Sequence, residues 1–338
     1  MENDVYSLIT GANGEVGHGL VKKIGNSKKI IGLGLTDLDE DLKPFVSVYI
    51  KGDITDQKLI SGIFTKYKID TVFHLAAVLS TTGEKVPKLA HDVNVNGTFN
   101  LLNMANDQAR SQKRVIKLIF PSSIAVYGMP NLETKKQHPK VKEGEFLNPI
   151  TMYGINKLYC ENLGNYFSNN YQLLTNIDHY LDFRCLRFPG LISAETVPSG
   201  GTSDYAPEML HAAAQGKSYS CFVREDSTIH FMAMPDAVDA LLLLTNVPKN
   251  KLSQNIYNVR GFSASAKQIE EIVKKHFPNA DISYRINPER QKIIDSWTED
   301  VDGSKAIDDW GWKAKFDFNK AFEEYLIPAI KIKYTNNS

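Results

Sequence analysis

The sequence predicts an α/β fold, a doubly wound parallel sheet followed by a smaller mixed C-terminal lobe. Three observations carry this. A strand-type run from Val5 to Thr10 enters a glycine turn at Gly11, Gly14 and Gly17 and leaves it as a helix. Short apolar runs then alternate with segments of helical spacing as far as Phe188, the pattern of successive parallel βαβ units. After Pro189-Gly190 the rhythm breaks, and the remaining elements are shorter and mixed.

The N-terminal unit is the most informative. Gly11-Ala12-Asn13-Gly14-Glu15-Val16-Gly17 lies between the strand and apolar positions at helical spacing, Val16, Leu20, Val21 and Ile24. Glycine allows a tight turn and a close approach of backbone to a pyrophosphate. The helix N-terminus offers free N–H groups and a partial positive charge to that phosphate. Gly11, Asn13, Gly14, Glu15, Val16 and Gly17 are thus candidate cofactor-binding residues; the alternative is a turn whose glycines serve packing only.

A second strand, Lys29 to Leu33, leads into Gly34-Leu35-Thr36-Asp37. An acid at the end of this strand takes the adenosine ribose hydroxyls in dinucleotide-binding folds. Here Asp37 falls slightly late, so either its loop bends back or backbone holds the ribose. A 2′-phosphate calls for arginine, and no arginine precedes Arg110. This favours NAD over NADP, with Lys43 as the residue that could reverse the choice.

Val46 to Ile50 reads as a third strand, followed by Asp53 and Ile54. Asp53 either contacts adenine or caps the next helix. Thr71 to Ala77 is a buried strand whose end, Leu75-Ala76-Ala77, leaves room beside the glycine turn; His74 within it reads as structural. His91 to Ala109 is expected to be helical and contains Asn94. Val115 to Phe120 is a strand ending in Pro121-Ser122-Ser123. A serine at the carboxyl end of a parallel strand faces the ligand crevice; the plainer reading of Ser123 is a turn hydroxyl. Residues 129–148 read as a polar loop, 170–180 as an insertion, and Phe183 to Phe188 as a strand. Beyond Gly190 the expectation is a helix from Asp204 to Gln215, strands at 220–223, 230–234 and 256–259, and a helix from Pro235 to Leu244. On this reading residues 1–189 with about 230–262 form the dinucleotide-binding domain, and 190–229 with about 263–330 a substrate lobe.

Between strands of the first domain lies Thr151-Met152-Tyr153-Gly154-Ile155-Asn156-Lys157. Tyr153 is the one tyrosine of the chain with a lysine four residues on. Positions i and i+4 share a helix face. A cation beside a phenol favours the phenolate, which makes Tyr153 a candidate general base for an alcohol proton. A surface Tyr/Lys pair on an amphipathic helix is the alternative.

Composition narrows the class. The chain has 338 residues, formal net charge zero, and 42% hydrophobic with 23% charged residues, as expected for a globular protein with a sizeable core. Well-mixed charge gives no nucleic-acid or membrane-surface signature. Three scattered cysteines suit neither a disulfide framework nor a thiolate metal site. No apolar run is long enough to span a bilayer, and a cytoplasmic location without a bound metal is the default expectation.

Assembled in order and spacing, Gly11/Gly14/Gly17, Asn94, Ser123, Tyr153 and Lys157 resemble the extended short-chain dehydrogenase/reductase superfamily, the Rossmann-type NAD-dependent epimerase/dehydratase family. Within it the sequence looks most like the short-chain L-threonine 3-dehydrogenases. That likeness rests on His74-Leu75-Ala76-Ala77-Val78-Leu79-Ser80 with Gly83-Glu84-Lys85, on Leu181 to Ser193, on Gly200 to Ala206, and on Asp295-Ser296-Trp297 and Asp309-Trp310-Gly311-Trp312-Lys313. Ser203 replaces a usual threonine, Ala125-Val126-Tyr127-Gly128 looks more like the sugar-epimerase branch, and 129–148 and 170–180 are longer than usual.

The resemblance implies NAD-dependent oxidation of the 3-hydroxyl of L-threonine to 2-amino-3-ketobutyrate. Tyr153 would act as base, Lys157 would lower its pKa and hold the nicotinamide ribose, and Ser123 would bond the reacting oxygen. Asn94 would belong to the cofactor site, and Ser80, Gly190, Thr202 and Trp297 to the amino-acid site. It further implies a homodimer, packed through helices near 90–109 and 153–169. An NDP-sugar 4-epimerase or dehydratase would use the same triad, but such enzymes carry asparagine near Pro189-Gly190 and more basic residues. A non-catalytic NAD-binding regulator would usually have lost the tyrosine or lysine. Arg184 and Arg187 read as structural ion-pair partners.

Overall fold

The computed structural model describes residues 4–196 and 201–335. Gly200, part of one motif above, lies outside them. Strands β1 (Val5–Thr10), β2 (Lys29–Gly34), β3 (Val48–Lys51), β4 (Lys68–His74) and β5 (Ile116–Ser123) are joined by β6 (Leu181–Phe188) and β7 (Ile256–Asn258). They form one seven-stranded sheet in the spatial order β7-β6-β5-β4-β1-β2-β3. The pairings β1/β2, β2/β3, β1/β4 and β4/β5 are parallel. The chain reverses direction of growth between β1 and β4, the topological switch point where such sheets bind ligands at their carboxyl ends. The doubly wound fold expected from the sequence is therefore present.

The chain divides into two compact units. The first comprises residues 4–123, 152–187 and 238–257 and holds most of the large sheet. Its core is built from apolar strand positions such as Leu8, Ile31, Val72 and Leu118, with Leu101, Phe167 and Phe183, all buried. Two buried arginines tie β6 into this unit. Arg187 grips Glu161 at 2.9 and 2.7 Å. Arg184 pairs with Asp182 at 2.7 Å and donates to the carbonyls of Leu244 and Val247, so its charge meets the last carbonyls of the helix Met234–Asn246. Both arginines are structural, as expected.

The second unit comprises residues 124–151, 188–237 and 258–335. It contains a three-stranded sheet of Phe262–Ser265, Thr228–Ala233 and Gly190–Ile192. Two parallel pairs add to it, Ile282–Tyr284 with Tyr219–Cys221 and Asp300–Val301 with Lys140–Val141. The helix Ala266–His276 opens with a reciprocal Ser265/Gln268 capping box.

Three segments differ from the sequence reading. Residues 129–148 are not simply a loop: they contain a helix, Leu132–Gln137, capped by Asn131, and the strand Lys140–Val141. A polar six-residue helix and a two-residue strand are too short to show a periodicity. Ser80–Lys85 is also helical. The helix expected from His91 begins at Pro87 and passes through a π turn, Asp92–Asn96, before Gly97–Ser111. Among the described residues no helix is long and apolar enough to cross a membrane.

Candidate active site

The site begins at the carboxyl end of β1. Gly11 has φ +70°, and a Cβ there would lie 2.9 Å from the Ala76 nitrogen. A Cβ on Gly17 would lie 2.3 Å from the Gly11 carbonyl oxygen. Both positions therefore demand glycine if helix Glu15–Ile24 is to start against the strand end. Gly14 is the N-cap, and with no side chain there an anion can come close to the positive end of a ten-residue helix.

Asn13 is spent locally. Its Nδ2 donates to Thr36 Oγ1 at 3.0 Å and to the Asp37 carbonyl at 2.7 Å, and its Oδ1 accepts from Asp39 N–H at 3.3 Å. The late-falling Asp37 is thus folded back toward the glycine turn, with its carboxylate exposed and paired to Lys51 at 3.0 Å. Asp53 caps no helix: it accepts from Thr55 N–H at 2.8 Å, and Asp56 is the cap of Gln57–Lys66. Ile54 packs on Gly97, where a Cβ would lie 2.9 Å away. Glu15 is exposed and Val16, Leu75, Ala76 and Ala77 are half-buried.

A buried hydrogen-bond chain fixes the segment after β4. Ala76 N–H donates to Thr10 Oγ1, which bonds His74 Nδ1 at 2.9 Å. His74 Nε2 meets Thr98 Oγ1 at 2.8 Å, and that hydroxyl donates to the Asn94 carbonyl. Because Thr98 gives its proton to Asn94, His74 carries its own proton on Nε2 and accepts on Nδ1. The Asn94 side chain in turn holds Val78, accepting its N–H at 2.8 Å and donating to its carbonyl at 3.0 Å.

Burial, with the Lys157 ammonium adding to it, pushes His74 down to about 3 from its ordinary 6.5. The unfolded chain therefore binds a proton that the folded chain refuses. Stability from this group is complete above pH 6.5 and is lost as pH falls toward 3, by up to a few kcal/mol. His230, buried and held near 4, acts in the same direction. Acid titration of the urea midpoint should show this loss, and His74→Gln should make the slope shallower; an unchanged slope would show that His74 is not a buried neutral group.

Ser123, Tyr153 and Lys157 are brought together in the first unit. Ser123 ends β5, and its hydroxyl hydrogen-bonds the Tyr153 phenol. Tyr153 and Lys157 lie on the helix Met152–Asn169. The expectation that Lys157 depresses the Tyr153 pKa is not met in this state. Burial dominates and pushes the phenol up to about 12, against the pull of Ser123. The Lys157 ammonium points elsewhere: it donates to the Pro121 carbonyl at 2.6 Å and sits 4.3 Å from the Phe120 ring centre, but 5.6 Å from that of Tyr153. Burial also lowers Lys157 to about 8, with Glu161 one turn on favouring the charged form.

Ser80 is buried at the start of the helix Ser80–Lys85. The same helix supplies Glu84, whose Oε1 accepts from Met152 N–H at 2.6 Å. A carboxylate thus sits on the positive end of the helix that bears Tyr153. Gly83 faces that first turn, where a Cβ would lie 3.9 Å from Tyr153 N. Glu84 stands in the Gly83-Glu84-Lys85 motif, but the signal for this contact is tertiary, 68 residues along the chain.

The remaining expected substrate residues lie in the second unit. A Cβ on Gly190 would be 3.1 Å from Ser203 Cβ, so Gly190 abuts the turn carrying buried Thr202. That turn is held by Asp204 on Gly201 N–H at 2.6 Å and by Arg290 Nη2 on the Gly201 carbonyl at 2.5 Å. Arg290, which the sequence reading missed, also stacks 3.3 Å from the Phe222 ring centre. Trp297 is buried and is the C-cap of the helix Pro288–Ser296. Tyr127, in the motif shared with the sugar branch, spends its hydroxyl on Asn258 Oδ1 at 2.6 Å and is structural. One group of potential metal ligands, His18, Asp39 and Asp41, occurs among the described residues, but Lys22 already neutralises Asp41 at 2.9 Å.

The glycine turn thus follows β1, and the Ser/Tyr/Lys cluster lies at the end of β5, beyond β4 in the same sheet, and on the helix Met152–Asn169. The family model for the NAD dependent epimerase/dehydratase family matches residues 7–259. The chain belongs to that family. It is 34% identical over 315 residues to the mitochondrial L-threonine 3-dehydrogenase of Bos taurus, covering 92% of this chain and 79% of the relative. Among solved structures, an apo L-threonine 3-dehydrogenase from a metagenome, described as monomeric, is 35% identical with TM-score 0.84, over 96% of this chain and 99% of that one. The L-threonine dehydrogenase of Clostridium difficile is 31% identical with TM-score 0.85, over 98% of each chain.

Proposed function

We propose that this chain oxidises the 3-hydroxyl of L-threonine to 2-amino-3-ketobutyrate with NAD. The observation that carries the chemistry is the Ser123–Tyr153 hydrogen bond at the end of β5, with Lys157 buried beside it. The substrate rests on the likeness to enzymes named for L-threonine. The first unit is read as the dinucleotide site and the second as the amino-acid lobe.

The glycine turn and helix Glu15–Ile24 would hold the pyrophosphate, with Asp37 near the ribose. Asp37 drawn toward the turn, and no arginine before Arg110, support NAD over its 2′-phosphate. When bound, the nicotinamide supplies the hydride acceptor and a positive charge. Tyr153 takes the hydroxyl proton, and Ser123 holds the same oxygen. A phenol near pKa 12 is a reluctant base: reaching phenolate at pH 8 costs about 5 kcal/mol. The flexible Lys157 side chain offsets part of this cost by turning its ammonium from the Pro121 carbonyl toward the phenol. Ser80, Gly190, Thr202 and Trp297 are assigned to the amino acid.

The direct test is NADH formation from L-threonine, run beside NADP and UDP-glucose. NADH with threonine and NAD is the expected result. Interconversion of UDP-sugars without NADH from threonine would move the chain to epimerase chemistry. We also propose a homodimer. Phe99 on one helix and Ile155, Tyr159 and Tyr166 on another are exposed large apolar side chains, the last three spaced four and seven residues apart along one face. Light scattering should give twice the chain mass; the chain mass alone, as in the monomeric metagenome enzyme, would refute the dimer.

A further inference from the structure

The excursion at 129–148 is built around the end of one helix. Pro288–Ser296 finishes with carbonyls that need donors, and this excursion supplies two of them. Met129 N–H donates to the Ser296 carbonyl at 2.7 Å. Lys135 Nζ donates to the Ile294 carbonyl at 3.0 Å, a carbonyl that also accepts Trp297 N–H at 3.2 Å. Just past Trp297, Asp300–Val301 pairs with Lys140–Val141 of the same excursion. Trp297 is therefore clamped on both sides in sequence by residues 129–141.

Lys135 is 2% exposed, on a helix of six residues. Burial lowers it to about 8, with Arg224 pushing the same way and Glu299, Asp295 and Asp226 pulling it back up. A lysine held in this way disfavours folding relative to an apolar side chain of the same length. Its ammonium does one geometric thing, which is to cap the turn from which Trp297 projects. We propose that Lys135 is a positioning residue for Trp297, and that the 129–148 excursion sets the placement of that side of the amino-acid pocket. This rests on the reading of Trp297 as a substrate contact.

Two readouts on the full-length enzyme test it. Lys135→Met keeps the stem and removes the charge. Hydrogen exchange at the Met129 and Trp297 amides should quicken, with the Gly11–Gly17 turn unchanged. The KM for L-threonine should rise roughly ten-fold, with that for NAD and kcat little altered. Asn131→Ala, which only uncaps the helix of Lys135, should shift both readouts the same way by less, and it carries the test should Lys135→Met fail to fold. Unchanged exchange in a folded variant overturns the clamp itself. Faster exchange with an unchanged threonine KM, while Trp297→Phe raises that KM, leaves Lys135 structural and overturns the positioning role. If Trp297→Phe also leaves the KM unchanged, the substrate reading of Trp297 is the part that has failed, and the proposal falls with it.

Discussion

Tyr153→Phe should lower kcat by about 10³-fold, the scale of losing a positioned general base, while the affinity for NAD stays nearly unchanged. The substitution removes one oxygen and keeps the ring, so the packing of the first turn against Gly83 and the Glu84 bond to Met152 N–H both survive. Ser123 loses its phenol partner and must turn to water or to substrate. Because the glycine turn lies on another element, cofactor titration should still saturate. Steady-state kinetics paired with a direct NAD-binding measurement separates the two effects. A kcat within ten-fold of the parent would remove Tyr153 as the base. The high resting pKa sharpens the expectation. A phenol pushed to about 12 is a poor base until positive charge approaches it, so activity should also depend on Lys157 more steeply than a simple ribose contact would require.

The parts of this design that were legible in the sequence are those written in local spacing. Glycines at 11, 14 and 17 encode a turn, and the structure shows why two of them admit no Cβ. Tyr153 and Lys157 at i and i+4 encode a shared helix face, and both lie on Met152–Asn169. What spacing does not encode is the direction in which a long flexible side chain turns. Lys157 faces the Pro121 carbonyl because a buried ammonium seeks the nearest strong acceptor, and β5 supplies it from 36 residues upstream. Glu84, Lys135 and Arg290 escaped for the same reason: each satisfies a backbone group 68, 159 or 89 residues away. Helix ends are unsatisfied by construction, yet the distant partner that satisfies them leaves no periodic trace.

The largest effect on stability is expected at Arg187. Its guanidinium is 2% exposed and grips a Glu161 carboxylate that is 0% exposed. The two parallel bonds fasten β6 to the helix bearing Tyr153 and Lys157. Arg187→Met fills similar space but leaves the carboxylate buried without its partner, at a cost of about 3–5 kcal/mol. Urea unfolding should show this as a lower midpoint with an unchanged slope. The double variant Arg187→Met/Glu161→Leu removes both charges and should recover most of the loss, since an apolar pair of similar volume replaces a buried ion pair at little net cost. Recovery in the double variant would show that the penalty is the stranded charge. Failure to recover would show that the fork itself holds the helix to the sheet. Activity gives an independent view. Lys157 lies four residues before Glu161 and already feels its charge. With Arg187 gone, the stranded carboxylate is the strongest attraction open to that ammonium. Arg187→Met should therefore lose kcat beyond what its lower stability explains, because Lys157 is drawn along the helix and away from the phenol it must assist.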